Sequence, residues 1–148
     1  AGGKVFIVAP DQFMTAFDAD NGRVVWRKKM PSIRVRESIG LSKDSLELYV
    51  KTTDGKLFAV SATAPDMLST WNLNLQTGYD VSPGPAIDNG SLIFVSSNSG
   101  IITAIDKTKQ KIAWRYKVSN SLVTGIMPLG DQKLVVSTVD GKITCLQF

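Results

Sequence analysis

Residues Ala16–Trp26 read Ala-Phe-Asp-Ala-Asp-Asn-Gly-Arg-Val-Val-Trp, which is the pattern A-x-D-x-x-x-G-x-x-x-W. The same pattern returns over Ala104–Trp114, where every marked position is kept except the glycine, which is replaced by Gln110. A looser copy with two extra residues runs from Ala59 to Trp71. A fourth copy begins at Cys145, close to the end of the chain. The chain is therefore built on an internal repeat.

The spacing of the repeat can be measured from two kinds of residue. The small residues at 16, 59, 104 and 145 are 43, 45 and 41 residues apart, and the tryptophans at 26, 71 and 114 are 45 and 43 apart. Both kinds agree on a period near 43, which is typical of propeller and solenoid repeats.

Each repeat contains short apolar runs of strand length. The best of these are Val5–Val8, Leu48–Val50, Leu92–Val95 and Leu134–Val136. Turn signals such as Asp54-Gly55, Ser99-Gly100 and Asp140-Gly141 follow, because glycine adopts positive φ without steric cost. The Asp-Gly pairs lack the spacing of a calcium loop and are interpreted as turns.

The pattern predicts an all-β fold: a partial β-propeller of about three and a half four-stranded antiparallel blades. A single propeller arc is expected over residues 1–148. Its fourteen strands divide into a partial blade (1–30), two whole blades (35–75 and 80–118) and a second partial blade (122–148).

An arc of this size predicts a missing remainder. Propellers usually close with four to eight blades, and an open arc leaves two apolar faces in water. We therefore expect the chain to be a fragment of a larger propeller, truncated at Ala1, whose end at Phe148 is a genuine terminus. The expected partners are the remainder of the parent chain or another protein, with self-association through the open faces as a further expectation.

The marked positions are interpreted as structural repeat positions. Small side chains (Ala16, Ala59, Ala104 and Cys145) let neighbouring blades pack closely, and cysteine is usually buried, so Cys145 is expected to fill the alanine slot. Asp18 and Asp106 are expected to accept backbone N–H groups across the next turn. Gly22 supplies a positive φ there, which Gln110 would strain or reshape.

Trp26, Trp71 and Trp114 are interpreted as wedges between blades rather than as a platform for stacking a ligand. An acid, a glycine turn and an aromatic could together pass for a ligand site. Recurrence in every repeat argues instead for packing, because a site is normally made once.

The strand–turn–strand arrangement of Leu48 to Ala59, followed by the A-x-D-x-x-x-G-x-x-x-W element, resembles the repeat of quinoprotein-type (PQQ-like) β-propellers. The resemblance covers essentially the whole chain and implies the fold. It does not imply one activity, since such repeats serve dehydrogenases, a lipoprotein of outer-membrane assembly, and sensor or accessory regions of bacterial kinases and metallophosphoesterases. Dehydrogenases of the family hold their quinone on the propeller axis over a vicinal cysteine pair, with a calcium ion beside it.

The composition argues against catalytic activity in this chain. Histidine is absent, and the lone Cys145 forms neither a vicinal pair nor an intrachain disulfide. The usual general base near neutral pH and the Ser-His or Cys-His nucleophile pairs are therefore excluded. No cofactor, metal or catalytic residue is predicted. The net charge of +4 is too small for a nucleic-acid surface, and no apolar run reaches the roughly 18 residues that a bilayer span requires.

Three exposed features remain as candidates for recognition. Two basic clusters are found one repeat apart, and their members are Arg23, Arg27, Lys28, Lys29, Arg34 and Arg36, then Lys107, Lys109, Lys111, Arg115 and Lys117. They are interpreted as charges on outer strands that prevent edge pairing, with a docking surface for an acidic partner as the alternative. The third feature is the loop 76–85, which displays Tyr79 and is either a recognition loop or a plain connection between blades.

The predicted function is a non-catalytic propeller scaffold that binds proteins or polymers, placed in the periplasm or elsewhere outside the bacterial cytoplasm. An accessory or sensor region of a larger kinase or metallophosphoesterase is the alternative, and a quinone-dependent dehydrogenase is the third hypothesis.

Overall fold

A computed structural model describes residues 1–9, 11–30, 35–64 and 69–148, without the side chains of 35–37. Fourteen strands lie in these ranges. They are β1 (Lys4–Val8), β2 (Phe13–Asp18), β3 (Val24–Lys29), β4 (Val35–Leu41), β5 (Glu47–Thr52), β6 (Lys56–Ser61), β7 (Ser69–Asn74), β8 (Ile87–Asp88), β9 (Leu92–Ser96), β10 (Ile101–Asp106), β11 (Lys111–Lys117), β12 (Val123–Leu129), β13 (Lys133–Thr138) and β14 (Ile143–Gln147).

The strands form four antiparallel sheets in which chain neighbours are sheet neighbours. We number them blade 1 (β1–β3), blade 2 (β4–β7), blade 3 (β8–β11) and blade 4 (β12–β14). Blades 2 and 3 have four strands each, while blades 1 and 4 have three. The all-β, partial-propeller prediction is confirmed. No helix able to cross a bilayer occurs in the described ranges.

Three apolar seams hold successive blades together. Each seam is a cluster of buried side chains contributed by both of its blades. In blade 2 the side chains of β5 alternate between seams, because successive residues of a strand point to opposite faces. Leu48 and Val50 face blade 1 while Tyr49 faces blade 3. A strand covered on both sides in this way has apolar side chains on both faces, which is why the sequence shows the continuous run Leu48–Val50.

The hairpins β5–β6, β9–β10 and β13–β14 lie at one end of the blades, which we call the hairpin rim. A glycine with positive φ closes each of them, at Gly55 (φ 76°), Gly100 (φ 73°) and Gly141 (φ 80°). Blade 1 places Gln12 in the same left-handed conformation (φ 71°) in its own β1–β2 hairpin. A side chain is rarely tolerated there, so this turn carries a backbone strain that the glycine turns lack.

Strand β4 of blade 2 and the segment just before β8 of blade 3 approach each other closely. A Cβ added at Gly40 would overlap the backbone carbonyl of Ala86, which precedes β8. The Ser38 hydroxyl donates a hydrogen bond to the Pro83 carbonyl in the same region. Glycine at position 40 is therefore required by the close approach of two backbones and not by its φ angle.

Candidate functional site

The three alanines of the repeat lie at the centre of identical three-strand arrangements. Ala16 is opposite Phe6 on one neighbouring strand and Trp26 on the other. Ala59 is flanked in the same way by Tyr49 and Trp71. The third arrangement is Phe94, Ala104 and Trp114. We call each of these an aromatic triad.

The triads explain why the central residue is small. Flanking strands are about 10 Å apart, two strand spacings, yet the two rings of each triad meet over the alanine with centroids 6.0, 6.1 and 6.0 Å apart. A larger central side chain would stand between the rings. A β-bulge follows each alanine, after Ala16, Ala59 and Ala104. The first ring of each triad was not predicted from the sequence, although an aromatic residue stands ten positions before each of the three alanines.

Burial of the tryptophans follows the seams. Trp26 and Trp71 are buried, and each belongs to the cluster that joins its blade to the next one. Trp114 is half-buried in the third seam, where its ring centroid lies 5.2 Å from that of Phe148. All three tryptophans therefore have their rings in blade-to-blade contacts.

The aspartates of the motif form local hydrogen bonds across the turn that follows them. Asp18 accepts the backbone N–H groups of Asp20 (2.9 Å) and Asn21 (3.1 Å), and Asp106 accepts that of Lys109 (2.8 Å). This backbone N–H, together with the Lys109 ammonium, lowers the pKa of Asp106. Gly22 has φ 72° and Gln110 has φ 53°, so the turn keeps its shape and the glutamine carries the strain.

Cys145 corrects one sequence-based prediction. Its register is that of the alanines, because it lies opposite Val135 as Ala59 lies opposite Tyr49. The expectation that it is buried is wrong, since the thiol-bearing side chain is exposed. The alanines are buried by the following blade, and no described blade follows blade 4.

The first basic cluster lies on and beside β3, the edge strand of blade 1. Arg23, Arg27, Lys28 and Lys29 are exposed there. Arg27 forms an ion pair with Asp11 (2.5 Å) and lies 3.9 Å above the Phe13 ring. Arg34 and the side chain of Arg36 lie outside the described residues.

The second basic cluster divides between two environments. Lys111, Arg115 and Lys117 are exposed on β11, the edge strand of blade 3. Lys107 and Lys109 lie instead in the β10–β11 turn, so the expectation that the whole cluster lies on the outer strand is wrong. This turn lies at the end of the blades opposite the hairpin rim. We call this opposite end the ion-pair rim.

Lys107 bridges two blades at the ion-pair rim. Its ammonium lies 3.1 Å from Asp88 of blade 3, whose side chain is fully buried, and 3.2 Å from Asp44 in the β4–β5 turn of blade 2. Burial opposes the charge on Lys107, but the two carboxylates outweigh it and raise the pKa of the lysine. Hydrogen bonds from the Ser42 hydroxyl and the Leu46 N–H, together with Lys107, lower the pKa of Asp44 to about 2.

Tyr49 is also part of this network. Its hydroxyl lies 3.2 Å from both Asp88 and Glu47, and burial together with the nearby carboxylates raises the tyrosine pKa. Sequence reasoning missed the network because Asp44 and Lys107 are 63 positions apart. Its ion pairs and hydrogen bonds link blades 2 and 3 across the middle seam, which is a structural role.

Tyr79 lies at the hairpin rim, beside a groove of about 410 Å³ between blades 2 and 3. Its side chain is 69% exposed. The other lining groups are almost all polar, and those that matter here are Gln76, Thr77, Asp80, Asn98 and Arg115. Arg23, Arg27 and Lys28 of the first basic cluster are on blade 1, so the structure does not bring them into this groove.

The loop that carries Tyr79 is attached to its surroundings on both sides. The backbone N–H groups of Leu75 and Asp80 donate to the carbonyls of Gly55 (2.7 Å) and Thr53 (3.0 Å) in the β5–β6 hairpin. Arg115 donates to the Leu75 carbonyl (2.6 Å) from the neighbouring blade. The groove is therefore preformed where its wall is made by this loop.

Asp80 joins the two sides of the groove. One of its carboxylate oxygens accepts the N–H of Ser82 (2.7 Å), and the other accepts the N–H of Asn98 (3.1 Å) in the β9–β10 hairpin. Behind it, the buried Lys51 ammonium donates to the carbonyl (3.1 Å) and hydroxyl (2.9 Å) of Ser82. Tyr79 is thus an exposed aromatic side chain on a well-anchored support.

Three sheets joined by repeated triads, with a fourth in the same register, define an arc of a repeat β-propeller. Comparison with protein families then gives the family. Residues 1–68 and 64–147 match the family described as "Outer membrane protein assembly factor BamB", and the chain belongs to this family of PQQ-like repeat propellers.

Solved structures show the same arc. BamB from Moraxella catarrhalis superposes with a TM-score of 0.77 at 20% identity, over 99% of this chain and 42% of that one. The computationally designed Ika4 protein superposes with a TM-score of 0.77 at 14% identity, over 100% of this chain and 87% of that one.

Two curated relatives also match this chain at low identity. The quinohemoprotein alcohol dehydrogenase ADH-IIG of Pseudomonas putida is 24% identical over 131 residues, which is 77% of this chain and 18% of the dehydrogenase. An uncharacterized protein of Rickettsia conorii is 23% identical over 141 residues, 92% of this chain and 32% of the relative. The chain thus spans less than a third of the length of these two relatives.

Proposed function

We propose that this chain is a non-catalytic binding module of the BamB type, which works outside the bacterial cytoplasm and contacts a protein partner at the hairpin rim. The observation that supports this most directly is Tyr79. The repeated aromatic residues pack within seams, whereas Tyr79 is 69% exposed beside a groove. Family membership adds the context of outer-membrane protein assembly.

The groove suits a protein segment by its chemistry. Tyrosine and arginine are enriched among the residues that dominate binding at protein interfaces, and both Tyr79 and Arg115 are present. The volume of about 410 Å³ can hold one or two side chains of a partner. Asp80 and Arg115 carry opposite charges, so the groove favours a polar segment without strong net charge. The exposed Arg23, Arg27 and Lys28 form a separate surface on blade 1.

Site-specific photo-crosslinking tests this proposal. A photoreactive phenylalanine analogue replaces Tyr79 in one variant and Leu46 in a control, because Leu46 is also exposed (53%) but lies at the ion-pair rim. Both variants are exported to the periplasm of a Gram-negative host. We expect an adduct at position 79 only, containing a protein of outer-membrane assembly. Excess wild-type chain should compete for it, whereas a Tyr79→Ser chain should not.

The proposal is contradicted if position 79 gives no adduct, or gives the adducts of position 46. The prediction of an accessory or sensor region in a larger kinase or phosphoesterase stays open to a different test. The sequence of the full parent polypeptide would reveal such a catalytic domain.

The match to a quinohemoprotein dehydrogenase supports a second candidate, quinone-dependent oxidation. The residues of this chain do not fit that cofactor. The resemblance requires a vicinal cysteine pair, and Cys145 is the sole cysteine. Across the described parts of the chain, no three His, Cys, Asp or Glu side chains come together as metal ligands would. Adding the quinone with calcium and recording the absorbance after gel filtration would test this. Retained chromophore would favour the enzyme.

A further inference from the structure

The chain contains two Asn-Gly pairs, Asn21-Gly22 and Asn89-Gly90. In this dipeptide the backbone nitrogen of the glycine can attack the side-chain amide of the asparagine, because glycine has no side chain to hinder the approach. Both pairs lie in turns at the ion-pair rim. The first turn joins β2 to β3 and the second joins β8 to β9. The two turns place the same dipeptide in opposite surroundings.

Asn21-Gly22 is open to solvent, since both residues are exposed. The side-chain oxygen of Asn21 accepts the backbone N–H of Arg23 (2.9 Å), and the N–H of Gly22 donates to the neutral carbonyl of Asp18 (2.9 Å). A donor on the amide oxygen stabilises the negative charge that develops there when a nucleophile attacks the adjoining carbon. The turn therefore polarises the Asn21 amide and leaves it accessible to water and hydroxide.

This exposure does not depend on where the chain begins. Lys109 and Gln110 occupy the same two turn positions in blade 3, which has a blade packed on either side. Both of these residues are exposed. A blade packed in front of blade 1 would therefore leave Asn21 and Gly22 in solvent as well.

Asn89-Gly90 is protected in two ways. Asn89 is 6% exposed, so water and hydroxide reach its amide only when the turn opens. The N–H of Gly90 donates to the Asp88 carboxylate (2.5 Å), whose negative charge opposes removal of this proton. The side-chain oxygen of Asn89 also accepts N–H groups, including that of Leu92 (2.8 Å). The two pairs therefore differ in access and in the charge beside the nucleophile, and not in polarisation of the amide.

We propose that Asn21 is a site of spontaneous deamidation in the folded protein, whereas Asn89 is protected. The Gly22 nitrogen loses its proton to hydroxide and bonds to the side-chain carbonyl carbon of Asn21. The bond from that carbon to the amide nitrogen breaks, ammonia leaves, and a cyclic imide remains. Water opens the imide at either carbonyl and gives aspartate or isoaspartate. The net change consumes water and releases ammonia, without oxidation or reduction. This inference is independent of the function proposed for the Tyr79 groove.

The modification would alter the turn that aligns β2 and β3. Isoaspartate adds a methylene group to the main chain just before the glycine, and it removes the side-chain amide whose oxygen accepts the Arg23 N–H. Either product also places a new carboxylate close to Asp18 and Asp20, which already carry negative charge in this turn. We therefore expect the modified chain to unfold at a lower temperature than the fresh chain.

Peptide mapping by mass spectrometry tests the proposal. The folded chain is incubated at roughly pH 8 and 37 °C, and the deamidated fraction at each asparagine is followed over time. Asn21 should convert at least about tenfold faster than Asn89, because Asn89 reacts only after local opening of its turn. Asn21→Gln is the matched variant. A glutamine side chain is one carbon longer and forms its cyclic imide far more slowly, so modification at this position should be lost while Asn89 is unaffected.

The unfolded chain separates the effect of structure from that of sequence. In urea both pairs are exposed and should convert at similar rates. In the folded sample, the isoaspartate content at position 21 should rise as the thermal unfolding temperature falls. Two results would overturn the proposal: equal rates at Asn21 and Asn89 in the folded chain, or conversion of Asn21 in urea without conversion in the folded chain. Either would show that the β2–β3 turn protects its asparagine as well as the β8–β9 turn does.

Discussion

The face of blade 2 around Ala59 and the outer face of blade 4 around Cys145 have the same register and opposite surroundings. Ala59 is 0% exposed beneath Tyr49 and Trp71, because blade 3 covers them. Cys145 is exposed opposite Val135. The difference shows that the repeat motif does not bury its own residues. The motif forms a face that becomes buried only when the next blade packs against it.

The largest expected difference, between the middle seam and the third seam, concerns the tryptophans. Trp71→Ala empties a buried site in the middle seam and should cost about 3–5 kcal/mol of unfolding free energy. Trp114 is half-buried, so Trp114→Ala should cost less, about 2 kcal/mol. Urea denaturation followed by circular dichroism measures both. Equal losses would show that blade cover does not set the energetic weight of the triad.

The next test concerns the central position of the triad. Ala59→Leu inserts a branched side chain between two rings whose centroids are 6.1 Å apart, and overpacking of this kind should cost about 1–3 kcal/mol. Cys145→Leu places the same side chain on an open face and should change stability by less than about 0.5 kcal/mol. Urea denaturation of both variants makes the comparison. A large loss for Cys145→Leu would contradict the open-face assignment.

A smaller effect is expected where neither face is involved. Gln110→Gly should stabilise the chain by about 1 kcal/mol, because glycine adopts φ 53° without strain. Gly22→Ala should destabilise it by a similar amount, although a Cβ there meets no atom within 4 Å. Thermal unfolding of both variants measures the pair. Two shifts of the same sign would mean that contacts, and not backbone conformation, control these turns.

The smallest expected effect is the pH dependence of the ion pair across the middle seam. The folded pKa of Asp44 is about 2, below the ordinary value of 3.8 for an aspartate, so its contribution is present above about pH 4 and is lost as pH falls towards 2. Asp44 is half-exposed, and solvent screening should limit this contribution to under about 1 kcal/mol. Urea denaturation at pH 5 and at pH 2.5 should therefore show a smaller acid loss for Asp44→Asn than for the wild type. An unchanged loss would remove Asp44 from the network.

The sequence was sufficient to predict the strands because apolar runs, glycine turns and the period of the anchors are local or evenly spaced signals. Gln110 illustrates the limit of local reasoning, since strain and reshaping were both open and the backbone shows a preserved turn with φ 53°. The first rings of the triads could have been found from their constant ten-residue spacing. The Lys107 network could not, because its partners are brought together by the packing of two blades.

The candidate groove was likewise predictable from the sequence only in part. Loop 76–85 was recognisable as a connection that displays Tyr79, because proline, glycine and serine interrupt the apolar pattern there. Its hydrogen bonds to the β5–β6 hairpin, to Asn98 and to Arg115 could not be predicted. They join residues from two blades, and no periodicity records which loops become neighbours.

By itself the sequence determined the strand order, the repeat and the small central residue of each triad, because hydrogen-bond register and turn geometry depend on residues close in the chain. Tertiary structure alone decided which faces are buried. Burial is a property of two surfaces in contact, so Ala59 and Cys145 occupy the same place in the motif and differ only in what lies against them.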